Sequence, residues 1–223
     1  MQDLLKTDKA TLERAERVRK RLEGRRVILA SASPRRKELL SCMAGEFEII
    51  PSDADETLPD YIPAKMASEY LARLKCLAIA EKYPDAVVIG ADTTVVVDDV
   101  IFGKPANKKQ AVKMLNALSG RLHSVISGIA VSCGGRTKSS SDVTLVGFKE
   151  LGSRAVNEYI ATGAPFDKAG GYGIQDFTNG EVYIESGSYS NVVGLPVEEL
   201  TLLVEAFLST EDQPHGSVFK EKE

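Results

Sequence analysis

Residues 86–97 read AVVIGADTTVVV, and this β-branched run decides the fold class. Its length and its Val, Ile and Thr content predict a buried β-strand. The turn Asp98-Asp99 follows and residues 100–102 return as a short strand, so the pattern predicts a hairpin. A segment with apolar residues at helical spacing precedes the run, and Asn107 is placed to cap a helix after it. Strands and helices alternate, and we therefore predict an α/β fold with a mixed sheet.

The same patterns outline three regions of the chain and the remaining elements. Residues 1–26 predict a charged helical extension that would pack on a neighbour, with apolar positions at Leu5, Leu12, Ala15, Val18 and Leu22. Residues 27–208 are expected to form the main domain and residues 209–223 a polar tail. Further strands are predicted at 27–30, 47–50, 125–132, 143–148 and 182–184, with a Gly/Ser loop between 132 and 143. Further helices are predicted at 34–43, 64–82, 153–162 and 196–208.

Composition excludes several function classes. The net charge of −4 gives no basic excess to hold a nucleic-acid polymer. The three cysteines lack the spacing of disulfide or thiolate metal sites, and His123 and His215 are too few for a histidine-rich zinc site. A catalytic metal would therefore use carboxylates, which suit Mg²⁺ or Mn²⁺. No apolar run approaches a membrane span, and we expect a cytoplasmic protein that binds no membrane.

The first motif that carries chemistry is LASASPRRK at residues 29–37. Ser33 is a natural N-cap and Pro34 a natural first residue of a helix. Arg35, Arg36 and Lys37 then lie in the first turn, where cations oppose the helix dipole unless an anion binds there. The pattern indicates a phosphate site, because the arginine fork matches phosphate oxygens. The alternative is a solvated basic helix start paired with acidic side chains.

The second motif is the acidic residue inside the central apolar run. Asp92 interrupts β-branched residues, and Gly90 nearby lets a ligand approach the backbone. A partly buried carboxylate needs a partner, so Asp92 would serve as a metal ligand or as a general base for water. In the alternative, the run forms two strands and Asp92 caps the turn between them. Lys104 in GKP returns to the cleft side of the hairpin, although a lone loop lysine is usually just solvated.

Two loop segments complete the candidate site. Residues 163–175 read GAPFDKAGGYGIQ, whose glycines permit close approach of the backbone to a ligand. Gln175 ends this segment and offers one donor and one acceptor to a base edge. Residues 51–56 read PSDADE and could supply a second carboxylate for a metal. The alternatives are a long flexible surface loop for the first segment and a solvated acidic turn for the second.

Together these segments resemble the Maf family of nucleotide pyrophosphatases. The resemblance runs from about Val27 to Leu208 and rests on seven motifs in the order LASASPRRKELL, PSDADE, LARLK, GADTTVVVDD with GKP, LSGRLHSVISG, DKAGGYGIQ and NVVGLP. It implies an elongated mixed sheet flanked by helices, with two lobes around a deep cleft, as in inosine triphosphate pyrophosphatase. The first 26 residues exceed the usual start, and SCMAGEFE after Leu40 lacks the usual glycine-leucine pair.

The resemblance also assigns roles to residues. It implies that Asp92 is the catalytic acidic residue and that Glu56 joins it in holding Mg²⁺ or Mn²⁺. The implied substrate-binding residues are Ser33, Arg35, Arg36, Lys75, Thr93, Lys104, Lys168 and Gln175.

The implied activity is hydrolysis of nucleoside triphosphates to monophosphate and pyrophosphate. The GYGIQ form is similar to the branch acting on dTTP and UTP rather than the branch preferring 7-methyl-GTP. The runner-up is a nucleotide-binding regulator of cell division without turnover, and a third candidate is a purine-directed enzyme resembling inosine triphosphate pyrophosphatase. The expected partner is the nucleotide substrate, and a homodimer is possible.

Overall fold

The computed structural model describes residues 7–209, and its centre is a seven-stranded mixed sheet. The strands are β1 (Val27–Leu29), β2 (Glu48–Ile49), β3 (Val87–Val97), β4 (Val100–Phe102), β5 (Leu122–Cys133), β6 (Arg136–Phe148) and β7 (Val182–Ser186). The α-helices are α1 (Lys9–Leu22), α2 (Pro34–Leu40), α3 (Ala67–Ala80), α4 (Lys108–Leu118), α5 (Ser153–Ala161), α6 (Tyr189–Val193) and α7 (Val197–Ser209).

The strand order explains why the sheet is mixed. It runs β2-β1-β3-β5-β6-β7, and β4 also pairs with β3. Strand β1 is parallel to β2 and to β3, whereas the other pairs are antiparallel. The predicted α/β class with a mixed sheet flanked by helices is therefore confirmed.

The central run forms one continuous strand, β3, followed by a tight hairpin. Asp98 and Asp99 have φ values of 48° and 60°, the left-handed conformation that a two-residue hairpin turn requires. Asn107 accepts a hydrogen bond from the backbone N–H of Gln110 and caps α4, as predicted. The alternative in which Asp92 caps a turn is wrong, because Asp92 lies inside β3 and pairs with Gly128 of β5.

The predicted Gly/Ser loop between 132 and 143 is also wrong. Only Gly134 and Gly135 form the turn, and the serines that follow belong to β6. Ser139 donates a hydrogen bond of 2.7 Å to Glu69 of α3, and Ser140 donates one to Glu199 of α7. These carboxylates give the serine hydroxyls partners on both faces of the sheet, so a polar stretch is stable as a strand. Helix α6 was not predicted either, although Ser188 caps it by accepting a hydrogen bond from the backbone N–H of Asn191.

Strand β3 has two different neighbours along the same edge, and a gap lies between them. Its first residues, Val87–Ile89, pair with β1, and its last residues, Val95–Val97, pair with β4. Within the described residues 7–209, no strand pairs with residues 90–94 on that edge. One apolar core lies around β1, α1 and α7, and a second lies around β4, α4 and α5. The gap therefore divides the fold into two lobes, which confirms the expected cleft.

The N-terminal helix packs on the chain itself. Ala15, Val18 and Leu22 of α1 are buried in the first core, against α7. Arg14 and Arg17 form ion pairs with Glu205 of α7. The apolar face expected for a neighbour is thus covered within this chain, while Leu5 and the predicted tail after 209 lie outside the described residues. No helix in residues 7–209 is long and apolar enough to cross a membrane.

Candidate active site

A cavity of about 670 Å³ opens at the gap in the β3 edge. Side chains from both lobes line it, including almost all of the residues proposed from the sequence. These are Ser33, Arg35, Arg36, Glu56, Lys75, Asp92, Thr93, Lys104 and Lys168. The structure therefore brings together residues that are up to 135 positions apart in the chain.

Two glycines let helix α3 lie directly on the sheet beside this cavity. A Cβ atom at Gly90 would collide with the carbonyl oxygen of Ala72, and one at Gly128 would collide with the backbone of Glu69. Both positions thus need glycine, because the helix backbone occupies the space of a side chain. This close approach brings Lys75, on the same helix, next to Asp92 on the same face of β3.

Lys75 lies between two carboxylates at the floor of the cavity. Its Nζ donates a hydrogen bond of 2.6 Å to Oδ1 of Asp92 and lies 2.8 Å from Oε2 of Glu56. The side chains of Lys75 and Asp92 are only 11% and 13% exposed, whereas that of Glu56 is 52% exposed. Ion pairs are strengthened where water is excluded, so Asp92 and Lys75 form the tighter pair.

Arg36 is held inside the site by the protein's own oxygen atoms. Its Nε donates to the carbonyl oxygen of Gly194 at 2.9 Å, and its Nη1 donates to Ala91 O at 2.8 Å and to Ser31 Oγ at 3.0 Å. Its Nη2 donates to Oγ1 of Thr93 at 3.2 Å. Burial lowers the pKa of Arg36, and the charge of Asp92 opposes that shift. Arg36 therefore fastens the turn after β1 to β3 and to the end of α6, with most of its donors already in use.

Arg35 and Lys168 meet across the cleft at a shared carboxylate. Nη1 of Arg35 donates a hydrogen bond of 2.9 Å to Asp167, and Nζ of Lys168 donates one of 2.8 Å to the same side chain. Burial acts to raise the pKa of Asp167, but these two cations together hold it below its usual value. Lys104 lies at the exposed rim and forms no ion pair with any residue in the described range. The cavity thus presents several cations to an anionic ligand.

The hydroxyl groups of the site are engaged in local structure. Ser33 caps α2 by accepting a hydrogen bond from the backbone N–H of Arg36, as predicted. Thr93 Oγ1 lies 2.9 Å from Ser127 Oγ and accepts the bond from Arg36. Sequence reasoning missed Ser31, which is buried, lines the cavity and contacts Arg36. Its place two residues before the cap was the available signal.

Gln175 is not brought to the cavity with the other residues. It is exposed within the 3₁₀ turn Ile174–Asp176, while its neighbour Ile174 lines the cavity. Reading of a base by Gln175 therefore stays a prediction that this geometry does not support. The glycine-rich segment itself is ordered into short 3₁₀ turns and contributes Tyr172 to the cavity wall, a residue that sequence reasoning passed over.

Tyr172 is fixed from behind by a buried histidine. Its hydroxyl oxygen lies 2.6 Å from Nε2 of His123, and the two rings meet edge to face. Burial lowers the pKa of His123 to about 4, so the ring is neutral at pH 7. Phe148 contacts both rings, which completes an aromatic support for this wall.

The acidic groups of the site are few. Residues 7–209 contain no group of three or more His, Cys, Asp or Glu side chains arranged to hold a metal ion. Glu56 and Asp92, however, both approach the cationic nitrogen of Lys75 from the cavity floor. Two carboxylates suit Mg²⁺, which keeps several water ligands and takes others from substrate phosphates. The donor set therefore fits a metal that binds together with a phosphorylated ligand.

Comparison with known proteins agrees with this arrangement. Residues 26–207 match the family described as Maf-like protein. A dTTP/UTP pyrophosphatase from Thermosipho africanus (strain TCF52B) is 45% identical over 177 residues, which cover 78% of this chain and 90% of that protein. Proteins of the same name from Desulforamulus reducens (44%) and Bacillus cereus strain ATCC 14579 (41%) cover 93% and 96% of their own lengths and 79% and 82% of this chain. The chain belongs to the Maf family.

Proposed function

We propose that this protein hydrolyses dTTP and UTP between the α- and β-phosphorus atoms, releasing the monophosphate and pyrophosphate. The observation that carries the proposal is the buried Asp92–Lys75 pair, open to a cavity lined by Arg35 and Lys104. The relatives named dTTP/UTP pyrophosphatase support the reaction and the substrate class.

Asp92 is the group that would activate water. It lies on a rigid central strand, and only Oδ1 is taken by Lys75, so its second oxygen is left to accept a proton. A carboxylate within hydrogen-bond reach of water acts as a general base as the water attacks phosphorus. Attack at the α-phosphorus expels pyrophosphate, which makes the two products of the proposed reaction.

The cations of the cavity stabilise the charge that develops on the leaving group. A triphosphate carries about four negative charges, and more charge gathers on the β-phosphate as the bond breaks. Arg35 at one wall and Lys104 at the rim face the cavity from opposite lobes. Lys168 supports Arg35 through their shared contact with Asp167. Binding of the triphosphate would therefore draw the lobes onto one anion.

A divalent cation, Mg²⁺ or Mn²⁺, is the cofactor that this site would use. Glu56 and Asp92 would hold it, and when bound it would neutralise charge on the phosphate oxygens. Arg36 orients Thr93 and the backbone of β3 beside these carboxylates. Homodimerisation and a cytoplasmic location belong to the same proposal, and light scattering and cell fractionation would test them.

A product screen tests the reaction. The protein is incubated with Mg²⁺ and, separately, with dTTP, UTP, CTP, dATP and GTP, and pyrophosphate and orthophosphate are measured independently. We expect pyrophosphate from dTTP and UTP, at several-fold higher kcat/KM than from the purine nucleotides. Nucleotide binding without any turnover would instead indicate a non-catalytic regulator.

A further inference from the structure

We propose that Lys75 occupies the place of the divalent cation until a nucleotide binds, so that metal binding requires the lysine to leave. The inference rests on the proposed function, because it concerns the metal that would serve that reaction. Lys75 Nζ contacts both proposed metal ligands, at 2.6 Å from Asp92 and 2.8 Å from Glu56. A divalent cation bound to both of those oxygen atoms would need the space that the ammonium group of Lys75 fills.

The charges at this point set the direction of the exchange. Two carboxylates face the ammonium group of Lys75, and the guanidinium of Arg36 also interacts with both of them, so their negative charge is already balanced by the protein's own cations. Bringing Mg²⁺ beside an unmoved ammonium group would add repulsion, which solvent screens only in part because the side chains of Lys75 and Asp92 are 11% and 13% exposed. Mg²⁺ also gives up its water reluctantly and needs several oxygen ligands. Metal alone should therefore bind weakly while Lys75 stays in place.

The phosphates of a bound nucleotide would give the ammonium group of Lys75 an alternative anionic partner. Lys75 lines the same cavity as Arg35 and Lys104, and its four-carbon stem lets the ammonium group turn toward a triphosphate. Glu56 lies in the segment between β2 and the 3₁₀ helix Ala64–Met66, without regular secondary structure, and its side chain is half exposed. Asp92, by contrast, is fixed in β3. Nucleotide binding would thus free both carboxylates for the metal and place Lys75 on the phosphates.

The test measures Mn²⁺ affinity without turnover, from the electron paramagnetic resonance signal of free Mn²⁺. Without nucleotide, we expect Lys75→Gln to bind Mn²⁺ at least about tenfold more tightly than the unmodified protein, because a nearby positive charge is removed. Lys104→Gln is the matched control, since it removes the same charge from the cavity rim but not from between the carboxylates. Its affinity should stay within about threefold of the unmodified protein.

Two further titrations test whether the gain in Mn²⁺ affinity depends on Asp92 and on the nucleotide. In Lys75→Gln combined with Asp92→Asn, the gain in affinity should disappear. A dTTP analogue with a methylene bridge between the α- and β-phosphorus atoms should increase Mn²⁺ affinity more in the unmodified protein than in Lys75→Gln. Lys75→Met serves as a second variant, and thermal unfolding confirms that each variant is folded.

Three results would overturn the inference. These are an unchanged affinity in folded Lys75→Gln and Lys75→Met, an equal gain in Lys104→Gln, or a gain that survives loss of Asp92. Because these titrations need no hydrolysis, failure of the exchange and failure of the proposed reaction are separate outcomes. Pyrophosphate release with unchanged Mn²⁺ affinity would reject only the exchange, and the reverse would reject only the reaction.

Discussion

Nη1 of Arg36 donates a hydrogen bond of 2.8 Å to the carbonyl oxygen of Ala91, which lies at the gap in the β3 edge. This bond gives the carbonyl of a β3 residue a partner at a point where no strand among residues 7–209 pairs with that edge. Arg36→Met would leave that oxygen without this donor, and it would leave the carbonyl of Gly194 with only the longer bond of 3.4 Å from Thr93 Oγ1. An unpaired buried polar group costs about 1–3 kcal/mol, so we expect a loss of that size in the free energy of unfolding. Urea unfolding measures it.

The adjacent arginine gives the matched control. Arg35 is paired with Asp167, whose side chain is 61% exposed, and surface pairs contribute at most about 1 kcal/mol. Arg35→Met should therefore unfold almost like the unmodified protein, yet its KM for dTTP should rise at least about tenfold because a charge-assisted phosphate contact is lost. Equal destabilisation by the two substitutions would show that Arg36 has no special role in holding the gap.

Substitution of Asp92 tests the proposed base. Asp92→Asn keeps the shape and the contact to Lys75 but cannot accept a proton, so kcat should fall about 10²–10⁴-fold. The control is Asp98→Asn in the turn after β3, an exposed residue outside the cavity that pairs with Arg121. It should retain kcat within about twofold. Near-normal turnover in Asp92→Asn would remove Asp92 from the mechanism.

The sequence was most informative where a feature depends on neighbours along the chain. Strand β3, the Asp98-Asp99 turn and the Asn107 cap follow from local patterns and are confirmed. The gap in the β3 edge is different, because it depends on where β1 ends and β4 begins along the same strand. No local sequence pattern predicts how β1 and β4 are aligned along β3. The position of the cleft opening therefore could not be predicted from the sequence.

Side-chain direction was the other property that local patterns did not reveal. Arg35 and Arg36 are adjacent and were assigned one role, but the first reaches across the cleft to Asp167 while the second points inward to Gly194. The Gly/Ser composition of residues 134–141 similarly suggested a loop. The carboxylates of Glu69 and Glu199, which stabilise the serines in a strand, lie far away in sequence, so no local pattern indicated them.

Substitution of Gln175 distinguishes the role predicted from the sequence, reading of the base, from the exposed position that the side chain has in the structure. If its amide reads the base, Gln175→Glu should reduce kcat/KM for UTP about 5- to 150-fold more than for GTP. Because the side chain is exposed outside the cavity lining, we expect a change in the UTP-to-GTP ratio of less than about threefold. Competition assays with both nucleotides measure that ratio directly. A change above tenfold would mean that the loop places Gln175 on the base when the nucleotide binds.

His123 predicts a pH dependence of stability. Burial lowers its pKa from 6.5 to about 4, so between these values the unfolded chain binds a proton that the folded chain does not. Its contribution is therefore fully present above pH 6.5 and is lost as the pH falls toward 4. Between pH 7 and pH 4.5, the unmodified protein should lose roughly 2–3 kcal/mol more unfolding free energy than His123→Gln. Parallel pH curves for the two proteins would contradict this account.

The position of the bond that breaks tests the central claim most directly. A single turnover of dTTP with Mg²⁺ in ¹⁸O-labelled water, analysed by mass spectrometry and ³¹P NMR, shows which phosphorus atom receives the water oxygen. Attack at the α-phosphorus, with Asp92 activating the water, predicts that the label appears in the monophosphate and that pyrophosphate is unlabelled. Label in pyrophosphate, or release of orthophosphate as the first product, would contradict the proposed reaction.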